Sequence, residues 1–261
     1  MQKEVKKSWA LFLGIGTMMI AHGLQMQVMG IRSVLEDFNV LTTGIFMSGY
    51  YVGYFVGSQT TPNLVQKVGH IRVFAAFASL ASLSALVAVA YVNPFMWTIS
   101  RFITGISLVS CYVVSESWLN DRATNKNRGQ LLSAYMIVLY LGLAIGMLLL
   151  NFSEPKAYEP FILVSVLLSL ALVPILLTKR PAPKFKKIGT ISVKELYRIS
   201  PLGTVSSFAT GVIHAAFFSL ISVYSTKAGF TLFETSILLF IATISGVIGQ
   251  APIGYFSDLY D

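Results

Sequence analysis

Long apolar segments separated by short polar ones dominate the sequence, and this pattern restricts the chain to a membrane bundle. Eight segments of roughly 18 to 25 residues hold few charged side chains, and an α-helix of that length crosses a bilayer. Lipid offers the backbone no hydrogen bonds, so these segments are predicted to be helices that pack together. They are predicted at residues 9–31, 43–65, 73–92, 95–119, 131–152, 161–178, 202–225 and 232–255.

Composition and charge support the same class. Charged residues are 11% and hydrophobic residues 55% of the chain, whereas a soluble domain carries about 25% charged residues. The net charge of +8 does not indicate nucleic-acid binding, because the basic residues lie in the loops between spans rather than on one soluble face. The single cysteine, Cys111, falls inside an apolar segment, so no disulfide is expected within the chain.

The distribution of basic residues predicts the orientation of the chain. With the N-terminus in the cytoplasm, 15 of the 19 Lys and Arg residues fall in inner loops and three in outer loops, as the positive-inside rule requires. The first apolar segment follows a basic N-terminus but continues without a small-residue cleavage site, so it is predicted to be a retained span. We expect a multi-pass protein of the cytoplasmic or inner membrane with a cytoplasmic N-terminus.

One basic loop divides the chain. It covers residues 179–200 and contains Pro181 and Pro183. We expect an N-terminal six-helix bundle at 1–178, a cytoplasmic linker at 179–200 and the start of a second bundle at 201–261. Residues 194–199 form either a short interfacial helix or plain linker, and plain linker is favoured.

The segments after the linker repeat the pattern of the first two spans. A gapless shift of 192 residues aligns residues 9–68 with 201–260, and six of these 60 positions are identical. Spans and loops keep register, which is typical of the internal repeats of transporters. Because the second unit holds two spans rather than six, the chain is expected to be truncated after its eighth helix. Identical pairs include His22 with His214, Phe38 with Phe230, Thr43 with Thr235, Ile45 with Ile237 and Gly57 with Gly249.

Short motifs at the span ends resemble those of a known family. Residues 254–258 are similar to the opening of the Gly-x-x-x-Asp loop motif of the major facilitator superfamily (MFS), and Arg101-x-x-x-Gly105 resembles its fourth-helix arginine motif. The equivalent first loop keeps Gly69 and a basic end but has Pro62 and Gln66 in place of the first glycine and the aspartate. A charge latch at position 66 is therefore not expected. Residues 116–129 and 68–74 resemble the YcaD-like branch of the superfamily.

The resemblance implies both a fold and an activity. The fold is an all-α membrane protein with an MFS-type bundle, complete in its N-terminal six-helix half and holding the first two helices of the C-terminal half. The activity is secondary active transport, by symport or antiport, of a small solute by alternating access, coupled to a proton or substrate gradient. The full-length protein is expected to be a monomer in the lipid bilayer. A channel or membrane scaffold that does not alternate is the main alternative, followed by a membrane-embedded enzyme.

Four polar residues within the spans are candidates for the transport pathway. A charge inside a span usually serves a function, so Arg101 is predicted to act in the cavity or in proton coupling; snorkelling to the surface is its alternative. His22 and His214 occupy matching repeat positions and histidine titrates near neutral pH. They are predicted to line a cavity, with proton carriage as a further role and a structural hydrogen bond as the alternative. Gln25 is a weaker candidate for solute contact.

Residues near the inner ends of the spans are candidates for a cytoplasmic gate. Glu116 lies ~22 Å from Arg101 along the fourth helix, too far for an ion pair. It is predicted to latch the gate through basic residues of neighbouring loops; a solute- or proton-binding carboxylate and a solvated helix end are the alternatives. Gly142 and Gly146 are predicted to pack helices closely. The gate candidates are Gly69, Arg72, Glu116, Asp121, Arg122, Arg128, Gly254 and Asp258.

Catalytic signatures are not found in the sequence. It has no Gly-x-x-x-x-Gly-Lys-Ser/Thr loop for nucleotide phosphates and no His, Cys and carboxylate cluster with metal-ligand spacing. A Ser-His-Asp set cannot be argued from its scattered residues. Neither an enzyme nor a bound cofactor or metal is expected.

Overall fold

The computed structural model describes residues 8–123, 128–178 and 192–260, with side chains described as far as residue 249 except for Gln130. Regular structure in these ranges is helical throughout. The start of the linker, 179–191, lies outside the described residues. The helices are α1 (Trp9–Leu35), α2 (Val40–Val68), α3 (His70–Ala90), α4 (Pro94–Arg122), α5 (Arg128–Leu149, followed by the 3-10 turn Leu150–Phe152), α6 (Glu159–Leu170), α7 (Leu172–Leu176), α8 (Val193–Ile199), α9 (Pro201–Lys227) and α10 (Leu232–Tyr260).

Seven of the eight predicted spans are helices long and apolar enough to cross a membrane within the described part of the chain. The exception is α2, which contains the span predicted at 43–65. It is 29 residues long but does not reach the same hydropathy, because its second half contains Gln59, Asn63 and Gln66. The sixth predicted span is broken between α6 and α7. Pro174 has no backbone N–H to donate to the carbonyl of Leu170, so the helix breaks where this hydrogen bond is missing.

Residues 193–199 form helix α8, so the favoured interpretation of this part of the linker as plain coil was wrong. Ser192 is its N-cap, because the Ser192 hydroxyl accepts a hydrogen bond from the Glu195 N–H at 3.2 Å. Side-chain capping of this kind satisfies one of the donors that the first turn leaves unpaired. Asn39 and Asn93 cap α2 and α4 in the same way, at 2.8 and 2.9 Å.

Two helix pairs, α2 with α4 and α1 with α5, are the most closely packed in the first six-helix unit. In the first pair a Cβ on Gly53 would lie 2.0 Å from the Phe102 carbonyl oxygen, and one on Gly105 would lie 2.0 Å from that of Tyr50. In the second pair, a Cβ on Gly23 or on Gly146 would lie 2.1 Å from a backbone carbonyl oxygen of the facing helix. Glycine is therefore required in both pairs, since any side chain would separate the helices.

The repeat expected from the sequence is present in the backbone. Shifting α1 by 192 residues gives the bounds of α9, and shifting α2 gives those of α10. The connecting turns also match: Phe38 N–H donates to the Ser33 carbonyl at 2.9 Å, and Phe230 N–H donates to the Ser225 carbonyl at 3.0 Å. Equivalent residues Asp37 and Gly229 both have positive φ, 57° and 85°. Helix lengths, turn type and register are thus repeated although few side chains are.

Candidate functional site

A cavity of about 1010 Å³ lies between the first six-helix unit and α9. Helices α1, α2, α4 and α5 form one wall, and the N-terminal half of α9 forms the other. Its size falls at the upper end of the range for small-molecule sites. The lining residues are Met19, His22, Met26, Tyr50, Tyr51, Tyr54, Phe55, Tyr112, Met136, Leu139, Tyr140, Leu143, Ser206, Ser207, Phe208, Thr210, Gly211, Val212, His214, Ala215 and Phe218.

The chemical character of this cavity is aromatic and apolar, with neutral hydrogen-bonding groups set into it. Five tyrosines and two histidines supply most of the polar atoms. Asp, Glu, Lys and Arg do not occur among the described lining residues. Such a surface suits a small solute with an apolar body and few polar groups.

The C-terminal half of α9 packs on α1 and closes the far side of the cavity. A Cβ on Gly30 would lie 2.9 Å from the Ser222 Cβ, so the two helices meet at positions that are equivalent in the repeat. Gln27 Nε2 donates to Ser236 Oγ at 2.7 Å, which joins α1 to α10. The Tyr51 hydroxyl is 3.4 Å from the Ala215 carbonyl oxygen. The two repeats are therefore held together by hydrogen bonds at one end and separated at the other.

Arg101 is completely buried in α4, so the alternative that it snorkels to the surface is wrong. None of its three guanidinium nitrogens has a hydrogen-bond partner. Its guanidinium carbon lies 4.7 Å from the centre of the Tyr50 ring, in a cation–π contact. Tyr50 lines the cavity and Arg101 does not, so the phenol ring separates the guanidinium from the cavity.

Tyr50 was not predicted as a site residue, yet it contacts two of the predicted ones, His22 and Arg101. Its ring stacks on the His22 imidazole, with centroids 5.3 Å apart and planes 19° from parallel. Arg101 lies over the same ring, and Gly105 packs against the Tyr50 carbonyl. The arginine and the glycine of the Arg101-x-x-x-Gly105 motif therefore both contact one tyrosine, which fixes its place on the cavity wall.

The structure places both predicted histidines on the cavity and Gln25 elsewhere. His22 and His214 line it from α1 and α9. The His214 ring packs on Phe218 with centroids 4.4 Å apart. Gln25 instead points into the six-helix unit, where its amide donates to Thr104 Oγ1 at 3.4 Å. A structural role in helix packing fits Gln25 in this conformation.

The gate candidates are dispersed over the helix ends. Glu116 is exposed and lies beside the Tyr135 phenol, without a hydrogen bond of good geometry between them. It forms no salt bridge with Arg72 or Arg128 among the described residues. The ion pairs predicted for Glu116 with Arg72 and Arg128 are therefore not formed here.

The remaining gate candidates lie near the ends of α2, α3, α4 and α10. Arg122 packs over the Trp118 ring at 5.5 Å, and Asp121 and Arg72 are exposed. Gly69 has φ 89° and forms the turn between α2 and α3. Gly254 and Asp258 belong to α10, and the side chain of Asp258 lies outside those described.

A cavity lined by α1, α2, α4, α5 and α9, in a bundle where α9 and α10 repeat α1 and α2, is typical of a membrane transporter. Sequence comparison identifies the family. The model of the Major Facilitator Superfamily matches residues 11–261, so the chain belongs to this family. The expectation drawn from the loop motifs is confirmed.

Relatives of the chain are named as transporters. It is 25% identical over 219 residues to the uncharacterised MFS-type transporter YcaD of Escherichia fergusonii, covering 83% of this chain and 57% of that protein. It is 29% identical over 219 residues to an uncharacterised MFS-type transporter of Yersinia pseudotuberculosis, with the same coverage. The chain thus spans a little over half the length of these relatives.

Solved structures share the fold. The nucleoside transporter NupG superposes with a TM-score of 0.74 at 13% identity, covering 97% of this chain and 68% of that one. A D-xylose–proton symporter superposes with a TM-score of 0.68 at 12% identity, covering 97% and 69%. At these identities the match concerns the fold alone.

Proposed function

We propose that the protein is a secondary active transporter that moves a small solute across the cytoplasmic membrane by alternating access. The observation that carries the proposal is the cavity between the two repeats, which is closed at one end by contacts between equivalent residues of α1 and α9. In the predicted orientation the closed end is the outer one, so the chain has the arrangement of an inward-facing state.

The contacts at the closed end suit a reversible gate. They include a helix crossing at Gly30 and Ser222, apolar packing of Leu239 with Met147, and neutral hydrogen bonds such as Gln27 to Ser236. Hydrogen bonds between membrane helices stabilise by only about 0.6 to 2 kcal/mol each. A solute or a proton that favours the other state by a few kcal/mol is enough to shift such an equilibrium.

At the inner ends of the helices, the proposed cytoplasmic gate brings Glu116 to basic residues near the end of α4 and in the first turns of α3 and α5. In the present conformation that carboxylate is exposed and unpaired with Arg72 or Arg128, as a gate that stands open requires. Closing it forms an interface ion pair, which biases the state more than it stabilises the fold.

Coupling to a proton gradient is proposed through the histidines of the cavity. His22 and His214 face one space from the two repeats and histidine changes charge near physiological pH. A proton held there therefore changes the electrostatics of the cavity that the solute enters.

Transport in proteoliposomes tests the proposal. Purified protein is reconstituted, a pH gradient is imposed, and the uptake of a panel of labelled small solutes is followed. Accumulation of at least one solute above its equilibrium level, abolished by a protonophore, is expected. Rapid equilibration that never exceeds the external concentration indicates a channel and contradicts the proposal, as does recovery of a chemically altered product.

A substitution of His22 tests whether this residue couples transport to the proton gradient. Replacing His22 by Gln keeps a hydrogen-bonding side chain of similar reach but cannot carry a proton. His22→Gln is expected to lose uphill accumulation while retaining exchange of solute across the membrane. Unchanged accumulation would remove His22 from the coupling step, and His214→Gln is the matched variant in the second repeat.

A further inference from the structure

A buried cation without a hydrogen-bond partner lies directly behind the cavity wall. Arg101 is fully buried, and no nitrogen of its guanidinium has a hydrogen-bond partner. A buried charge without a partner is costly in protein and more so in a membrane. The cation–π contact with Tyr50 offsets part of this cost but satisfies none of the five N–H donors.

No carboxylate is available from the described lining residues to pair with this guanidinium. They contribute phenols, imidazoles, hydroxyls and apolar groups, and Glu116 lies just over four helical turns further along the same helix. The described residues supply no hydrogen-bond partner for Arg101, and the cavity lies next to it behind the Tyr50 ring.

Resting on the proposed transport function, we propose that Arg101 binds the carboxylate of the transported solute and that this solute is an organic monoanion with an aromatic or aliphatic body. A guanidinium pairs with a carboxylate through two parallel hydrogen bonds, a geometry that no other side chain supplies as well. Rotation of the Tyr50 ring away from Arg101 opens the path. The anion then takes the place of the ring.

The groups around Tyr50 define the rest of the subsite. His22 stacks on that ring, and Tyr51 is its neighbour with ring centroids 5.1 Å apart, so neutral donors surround the position that the anion would occupy. One cation balances one negative charge, which favours a monoanion over a phosphate dianion. Met26, Phe55, Leu143 and Phe218 provide apolar surface for the body of the solute.

Ligand binding to purified protein in detergent tests the charge preference without any variant. Matched trios share one body and differ only in the head group: 2-naphthoate, 2-naphthamide and 2-naphthylmethylamine, and hexanoate, hexanamide and hexylamine. Calorimetry is expected to show that at least one carboxylate binds about tenfold or more tightly than its amide, the gain expected of a charged hydrogen-bonded pair. The amine should be the weakest member. Carboxylates that bind no better than their amides or amines in both trios overturn the proposal.

Two variants assign the preference to Arg101. In Arg101→Gln the advantage of the carboxylate over the amide should fall to about twofold or less, while the amide binds as in the wild type. Arg101→Lys keeps the charge and should retain a reduced preference, because an ammonium lacks the planar fork. A carboxylate preference that survives intact in Arg101→Gln refutes the assignment.

Uptake by proteoliposomes separates this inference from the function on which it rests. Gradient-driven accumulation of the amine or amide in place of the carboxylate leaves the transporter proposal standing and overturns this one. Selective carboxylate binding without accumulation of any solute supports the Arg101 site and contradicts transport.

Discussion

Replacing Gly105 by alanine is expected to separate the two helices that hold Tyr50 in place. The added Cβ would lie 2.0 Å from the Tyr50 carbonyl oxygen and 2.9 Å from the Tyr54 backbone nitrogen. Ordinary van der Waals contact begins near 3.4 Å, so α2 has to move by more than ~1 Å to accept one methyl group. Because the clash is with backbone, no side-chain rotation relieves it.

The size of the effect follows from two opposing terms. Overpacking of this kind costs about 1 to 3 kcal/mol, while alanine is a better helix former than glycine by at most ~1 kcal/mol. A net loss of about 1 to 2 kcal/mol is expected, which for a chain of this size lowers the melting temperature by roughly 2 to 8 °C. Displacement of Tyr50 should also weaken the cation–π contact with Arg101.

Thermal unfolding in detergent, followed by tryptophan fluorescence, measures the change. Gly246→Ala is the matched control, because a Cβ on that α10 glycine meets nothing within 4 Å; its melting temperature should equal or exceed that of the wild type. Equal melting temperatures for Gly105→Ala and Gly246→Ala would refute the close approach of α2 and α4.

Three further predictions concern the turns, the helix contacts and the gate. Gly229→Ala should lose about 1 to 2 kcal/mol of stability, because a residue with a Cβ is strained at a φ of 85°. Asp37→Gly at the equivalent turn should stay within about 1 kcal/mol of the wild type. Thermal melts that rank the two variants the other way contradict the repeat of turn geometry. Ser82→Ala removes the 2.7 Å bond between α3 and α6 and should cost about 0.6 to 2 kcal/mol, and an unchanged melting temperature would show that this bond contributes nothing. Gln27→Leu removes the hydrogen bond from α1 to α10 and should open the closed end more often. The maleimide labelling rate of a cysteine placed at Ser222 should therefore rise several-fold. An unaltered rate would exclude Gln27 from the gate.

The fold could be predicted from the sequence because its determinants are local. Apolar segment length locates the spans, and Asn39, Asn93 and Gly69 mark helix ends through capping and positive φ. The helix α8 was missed because its capping signal at Ser192 occupies one residue in a basic, proline-containing loop. The lower hydropathy of α2 was present in the sequence, although apolar length alone suggested an ordinary span.

The site could be predicted only in part, because the cavity is made by contacts between distant segments. The repeat of His22 at His214 brought both histidines to attention, and both line the cavity. Tyr50 carried no comparable signal, since a tyrosine in a span is common and its role depends on Arg101, which lies 51 residues further along the chain. The row of Tyr50, Tyr51 and Tyr54 in α2, the predicted span that does not reach the hydropathy of the others, was the available indication.

Alternating access requires the two ends of the bundle to open in opposite senses, and paired spin labels measure this directly. With Cys111 replaced by alanine, one pair is placed at Leu13 and Val205 near the starts of α1 and α9, and the other at Leu41 and Phe233 near the starts of α2 and α10; all four side chains are exposed. A change of pH or addition of solute is expected to shorten the first distance and lengthen the second within the same sample. Distances that stay fixed, or that change in the same direction at both ends, would contradict the account.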